Sequence, residues 1–117
     1  MSKKHRGKEE KCSENFLAQI SVELGLETPQ GKRALALALE CVRLLDSKQC
    51  DYGPNNISYS GELGIAVRQQ DKVCRLRHLL ENGRKANHEA LRDTYMDMAN
   101  YGLIGLMLDD GTWAEGS

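Results

Sequence analysis

The chain has 117 residues, of which 28% are charged, and a formal net charge of −1. This length suits one domain with one core and leaves no room for a deep cleft between two lobes. Near-neutrality supplies no global field for duplex nucleic acid, and no run approaches the ~20 apolar residues of a membrane span.

The first twelve residues hold Lys3, Lys4, Arg6, Lys8 and Lys11 against Glu9 and Glu10. They are expected to be a disordered basic tail; a phosphate-contacting arm is the alternative. No apolar leader core is present in this stretch. Cys12, Cys41, Cys50 and Cys74 are widely spaced, with no CxxC pair and no zinc-finger spacing. A cytoplasmic protein with reduced thiols is the simplest expectation.

Residues 13–117 read as a single helical domain. Phe16, Leu17, Ile20 and Leu24 share one helical face, with Ser13 or Asn15 as N-cap and Gly25 as punctuation. Thr28-Pro29 then opens a second helix to about Lys48. Its Ala34–Leu39 stretch alternates Ala and Leu as a strand might. The apolar pattern continues through Val42, Leu44 and Leu45, however, and no β-branched residue precedes Val42, so a helix is expected.

Residues 50–64, CDYGPNNISYSGELG, read as one long polar loop, with Gly53-Pro54 as a turn. A loop of this length in a small domain is usually functional or mobile. A third helix is expected from about Leu63 to Glu81, stopped by Asn82-Gly83. A fourth runs from an N-cap near Asn87 to about Leu108, and Trp113 beyond it is a candidate plug. The expected fold is therefore all-α: a four-helix, mostly antiparallel, bundle-like domain with one long polar loop. The fourth helix is apolar on so many sides that a homodimer or higher homo-oligomer is expected.

The fourth helix also carries the chemistry. Glu89, Asp93 and Asp97 fall at i, i+4 and i+8, and each such step turns only about 40°. Like charges so placed repel by a few tenths of a kcal/mol per pair. The helix N-terminus offsets this for Glu89 and Asp93 but not for Asp97, about three turns in. A hard cation would compensate, because Mg²⁺ takes one or two carboxylates plus waters and phosphate oxygens. Glu40, the acid within the second helix's apolar run, has two readings. It pairs with Arg43, or it joins Asp93 and Asp97 around a metal.

On the third helix Arg68, Asp71, Lys72, Arg75 and His78 share one side. This is either a salt-bridge ladder on a solvated face or a cationic surface for phosphates. Acids, bases and a polar loop with Tyr52, Asn55 and Asn56 together suit a nucleotide. P-loop, GxGxxG, GxSxG and Cys–His nucleophile patterns are lacking, so any hydrolysis would be metal-assisted attack by water.

The stretch from Lys48 to Trp113 carries K-x-x-DYGPNNI, then GIAVRQQDKVCRLRHLL, then HEALRDTYMDMANYGLIGLMLDDGTW. These segments resemble the nucleotide modification associated domain 1 family, found largely in bacteriophages. More distantly, the layout is similar to the all-α, MazG-type nucleoside triphosphate pyrophosphohydrolases. Those enzymes hold Mg²⁺ with an E-x-x-E pair on one helix and an acidic pair on a later one. Glu89 and Asp93 match the later pair, with Asp97 added. Glu40 stands alone where the first pair is expected, because positions 36, 37, 43 and 44 are Ala, Leu, Arg and Leu.

The resemblance implies a Mg²⁺-dependent nucleotide pyrophosphohydrolase. Asp93 and Asp97, with Glu89 or Glu40, would hold the metal, and Glu40 and Asp93 would carry catalysis. Arg68, Lys72 and Arg75 would contact phosphates, and Tyr52, Asn55 and Asn56 the sugar or base. The incomplete first pair motivates an alternative, a non-catalytic binder that sequesters a cyclic or modified nucleotide. A structural helical module for a protein partner is a further alternative.

Overall fold

A computed structural model describes residues 13–83 and 88–114. It is all-α, with four helices: α1 (Glu14–Leu24), α2 (Pro29–Tyr52), α3 (Asn55–Glu81) and α4 (His88–Asp110). The expectations placed on residues 1–12 and on Asn87 lie outside the described residues. No helix among those described is long and apolar enough to cross a membrane.

The chain divides into two compact units, one through Ser47 and the other from Lys48. In the first unit, Ser13 is extended and its hydroxyl accepts a hydrogen bond from the Phe16 N–H at 3.1 Å, which satisfies one of the free donors of α1. Gly25, with φ 69°, ends the helix. Its N–H donates to Val22 O, and the Leu26 N–H reaches back to Ser21 O, both at 3.0 Å, which is a Schellman closure. Thr28 caps α2 in the same way as Ser13 caps α1, accepting from the Gly31 N–H at 3.0 Å. The Ala/Leu alternation is helical, as the residues around it require. Ser21 and Cys41 are the buried residues of this unit, while Phe16, Val22 and Leu24 are exposed.

The second unit corrects the expectation of a long loop over residues 50–64. Helix α2 continues to Tyr52, and α3 begins at Asn55. Only Gly53-Pro54 separates them: Gly53, at φ 71°, donates to Gln49 O at 2.9 Å. The Pro54 carbonyl then accepts from both the backbone N–H (3.0 Å) and the hydroxyl (3.1 Å) of Ser58. The polar composition that suggested a loop belongs instead to short helical turns whose Asn and Ser side chains are exposed. What survives of the irregularity is a kink. Gly61 has φ 64° and ψ −152°, a conformation open essentially to glycine alone. It breaks α3 after its first turns.

Beyond Gly61, α3 runs antiparallel to α4. Gln69 donates to the Met98 carbonyl at 3.0 Å, and nearer the start of α3 a methyl on Gly105 would sit 3.7 Å from Ile65. Ile57, Ile65, Leu79, Leu91 and Ile104 are the buried apolar side chains of the unit, with Thr94 and Asn100 buried among the polar ones. Asn82 closes α3, its side-chain amide donating to His78 O at 2.8 Å. Gly111 and Thr112 close α4 by the same Schellman pattern as α1, donating to Leu108 O and Met107 O at 3.2 and 2.8 Å. Trp113 folds back, as expected of a plug, and its indole N–H donates to Pro54 O at 3.1 Å. Cys74 is exposed, and Cys41 is buried.

Candidate functional site

Three cations of α3, Arg68, Lys72 and Arg75, reach across the hairpin to α4 in an antiparallel register, whereas Arg77 pairs with Glu81 along the exposed side of α3. The Arg68 guanidinium lies 6.0 Å from the centroid of the Tyr101 ring. Lys72 Nζ lies 3.0 Å from Asp97 Oδ2. Arg75 Nε donates to Thr94 Oγ1 at 3.2 Å, and that hydroxyl donates on to Ala90 O at 2.7 Å. A threonine that back-bonds its own helix can still accept from a guanidinium, which is how an almost fully buried Thr94 (1% exposed) is satisfied.

Asp97 is the centre of this seam. Its other oxygen, Oδ1, accepts from Lys48 Nζ at 3.1 Å. One carboxylate thus joins the end of α2, α3 and α4. Its side chain is 19% exposed, against 26% for Lys72 and 49% for Lys48. Burial alone would push this carboxyl up. The hydrogen bonds from Lys72 and Lys48 and their positive charges outweigh burial and hold it below its ordinary value of 3.8.

The acidic stripe does not form one wall. Glu89 and Asp93 are exposed, Asp97 is half-buried and Asn100 is buried. Asn100 lies only about 20° around the helix from Glu89, so position along α4, and not angular drift, separates the exposed from the buried members of the stripe. Glu40 lies in the first unit, half-buried. Among the described residues no group of three or more His, Cys, Asp or Glu side chains could hold a metal ion. Both oxygens of Asp97 already carry ammonium partners, so the donor set for Mg²⁺ does not fit this arrangement.

Tyr52, Asn55 and Asn56 flank the Gly53-Pro54 turn and are exposed. Tyr52 stands one helical turn beyond Lys48, on the same side of α2. Two amide oxygens, Gln69 Oε1 and Asn100 Oδ1, are buried without a hydrogen-bond partner. Sequence reasoning assigned no role to Lys48, although it opens the K-x-x-DYGPNNI motif. That position was the available signal; reading residues 50–64 as a loop hid it, because it placed Lys48 at a frayed helix end rather than one turn inside a helix.

No curated protein and no solved structure matches the chain. A family described as nucleotide modification associated domain 1 matches residues 48–108, which lie wholly within the second unit and hold Lys48, Lys72 and Asp97. That match covers more than half of the chain, and the protein belongs to the nucleotide modification associated domain 1 family.

Proposed function

We propose that the second unit binds a nucleotide and that Lys48 and Lys72 grip its phosphate. The observation that carries this reading is the convergence of two ammonium groups, from two helices, on the two oxygens of one carboxylate. A carboxylate and a phosphate present similar pairs of anionic oxygens to such donors. A site that holds the first is pre-arranged for the second. Arg68 and Arg75 line the same face of α3 and add positive charge. Tyr52, next to Lys48 and exposed, supplies a ring and a hydroxyl for the sugar or base, with Asn55 and Asn56 beside it. The family's association with nucleotide modification supports the same ligand class.

Calorimetric titration with a panel of ribo- and deoxyribonucleoside 5′-mono- and triphosphates tests the reading. One or more members bind, and Lys72→Met weakens that binding by ~10- to 100-fold, the scale of a lost hydrogen bond to a charged group. Absence of binding across the panel defeats it. The same mixtures, incubated with Mg²⁺ and analysed for pyrophosphate, separate binding from hydrolysis. Pyrophosphate release abolished by Asp93→Asn would establish the metal-dependent enzyme instead, with Asp97 leaving its lysines to take the metal. Intact nucleotide at the end of the incubation identifies a binder.

A further inference from the structure

We propose that the solvent side of α4 is the contact surface of an antiparallel, two-fold dimer, so that the partner it fits is a second copy of this chain. Arg92, Tyr95, Ala99, Gly102, Leu106 and Asp109 follow one another at alternating intervals of three and four residues. That is the heptad spacing at which one helix presents a continuous stripe to another. All six residues are exposed, Tyr95 by 50% and Leu106 by 62%. The stripe is centred roughly 180° round α4 from Asp97, away from the hairpin's ion pairs.

Gly102 is the member of the stripe that the single chain does not explain. It is not among the glycines of positive φ. Among the described residues, a methyl group built on it would meet no neighbouring atom within 4 Å. Gly105 differs, because a methyl there would sit 3.7 Å from Ile65. Glycine within a helix costs more conformational entropy than alanine, and at Gly102 no packing inside the chain offsets that cost. Small side chains at Ala99 and Gly102 do allow another backbone to come close.

Charge then chooses the partner and its direction. Arg92 and Asp109 close the two ends of the stripe with opposite signs. In an antiparallel pair Arg92 faces the partner's Asp109, Tyr95 faces the partner's Leu106, and Ala99 faces the partner's Gly102. The two-fold axis repeats each contact, so the stripe is complementary to itself and the assembly closes at two copies. A parallel pair would instead set Arg92 against Arg92 and Asp109 against Asp109, with like charges at both ends. The stripe spans about 26 Å of helix. A contact of that length falls at the low end of stable interface sizes, which suits micromolar association. Lys48, Lys72 and Asp97 lie on the other side of α4, so this inference and the nucleotide reading can each fail without the other.

Sedimentation equilibrium from low to high micromolar protein tests the inference. Wild type should pass from a one-chain to a two-chain mass across that range. Gly102→Leu places a bulky side chain in space that is open in the single chain. It should keep the helical circular dichroism signal and raise the dimer dissociation constant by about tenfold or more. Arg92→Glu and Asp109→Arg should each weaken the dimer by about tenfold, because each leaves two like-charge contacts. Combined in one chain, they should bring the dissociation constant back to within about threefold of wild type, with the signs of the pair exchanged. In a parallel pair each single change would only replace one like-charge contact by another and leave association unaltered. Where Gly102→Leu fails to fold, the charge variants decide. A one-chain mass for wild type throughout the range overturns the inference. So does a folded Gly102→Leu that dimerises as wild type does, or a combined charge variant no tighter than the single ones.

Discussion

In the first unit, α1 and α2 are secured at their own ends: a serine and a threonine hydroxyl at the starts, a left-handed glycine at the close of α1. In the second unit the helices are secured by one another, through Gln69 on Met98, Arg75 on Thr94 and the two lysines on Asp97. Burial follows the same division. Ser21 and Cys41 are buried in the first; five apolar side chains together with Thr94 and Asn100 are buried in the second. A helix defined by its caps can be specified by residues three apart. A helix pair defined by cross-links needs residues tens of positions apart to agree, as Lys48 and Asp97 do. The family match falls on the second unit, where a residue change on one helix is felt on another.

The sharpest way to break this comparison is to delete apolar volume from each unit. Ile104, 6% exposed on α4, should cost ~2–5 kcal/mol when changed to Ala, through lost burial and the cavity left behind. Val22, 80% exposed on α1, should change stability by no more than ~0.5 kcal/mol on the same substitution. Urea denaturation of both variants decides the matter, and comparable losses would end the distinction. Next in size is Gly61→Ala. A side chain at φ 64° and ψ −152° is strained, and the variant should lose ~1–3 kcal/mol or straighten α3. Unchanged stability with an unchanged fold would show that the kink is not fixed by glycine.

Asp97 gives the second unit a pH dependence that the caps of the first do not share. Its folded-state carboxyl titrates below 3.8, lower than in the unfolded chain, so the unfolded state binds the proton more readily. The contribution is therefore complete only well above the ordinary carboxyl value, from about pH 5, and is lost as pH falls through the folded-state value. Asp97→Asn should cost ~1–3 kcal/mol at pH 7, the scale of lost hydrogen bonds to charged groups. The gap between wild type and variant should then narrow progressively on acidification below about pH 5. Parallel curves over that range would place the acid sensitivity elsewhere.

How much of this was legible in the sequence depended on how far the deciding partner lay. Ser13, Thr28-Pro29 and Asn82-Gly83 are read against neighbours three or four residues away, and the structure keeps each in its expected role. The segment from Cys50 to Gly64 misled because its Asn, Ser and Gly content is that of a loop, and composition does not reveal that only Gly53 and Gly61 leave the helical region there. The site was half legible. Periodicity put Arg68, Lys72 and Arg75 on one face and Asp97 on another, but nothing local says that the two faces meet. Nor could the stripe from Glu89 to Asp97 be resolved into solvent and seam without knowing where α3 sits.

The caps themselves carry a smaller and local effect. Ser13→Ala removes the acceptor of the Phe16 N–H and should cost about 1 kcal/mol, as for other N-cap hydroxyls. The loss should stay local, because no described hydrogen bond of Ser13 reaches beyond Leu17. Amide exchange measured by NMR separates a local from a global loss. In Ser13→Ala the Phe16 and Leu17 amides should exchange faster, while Leu91, Thr94 and Ile104 keep their wild-type protection. In Asp97→Asn the pattern should reverse, with α3 and α4 amides affected together and those of α1 unchanged. Faster exchange at Thr94 in the serine variant would mean that the two units share one cooperative transition, and the cap would then matter through the whole chain.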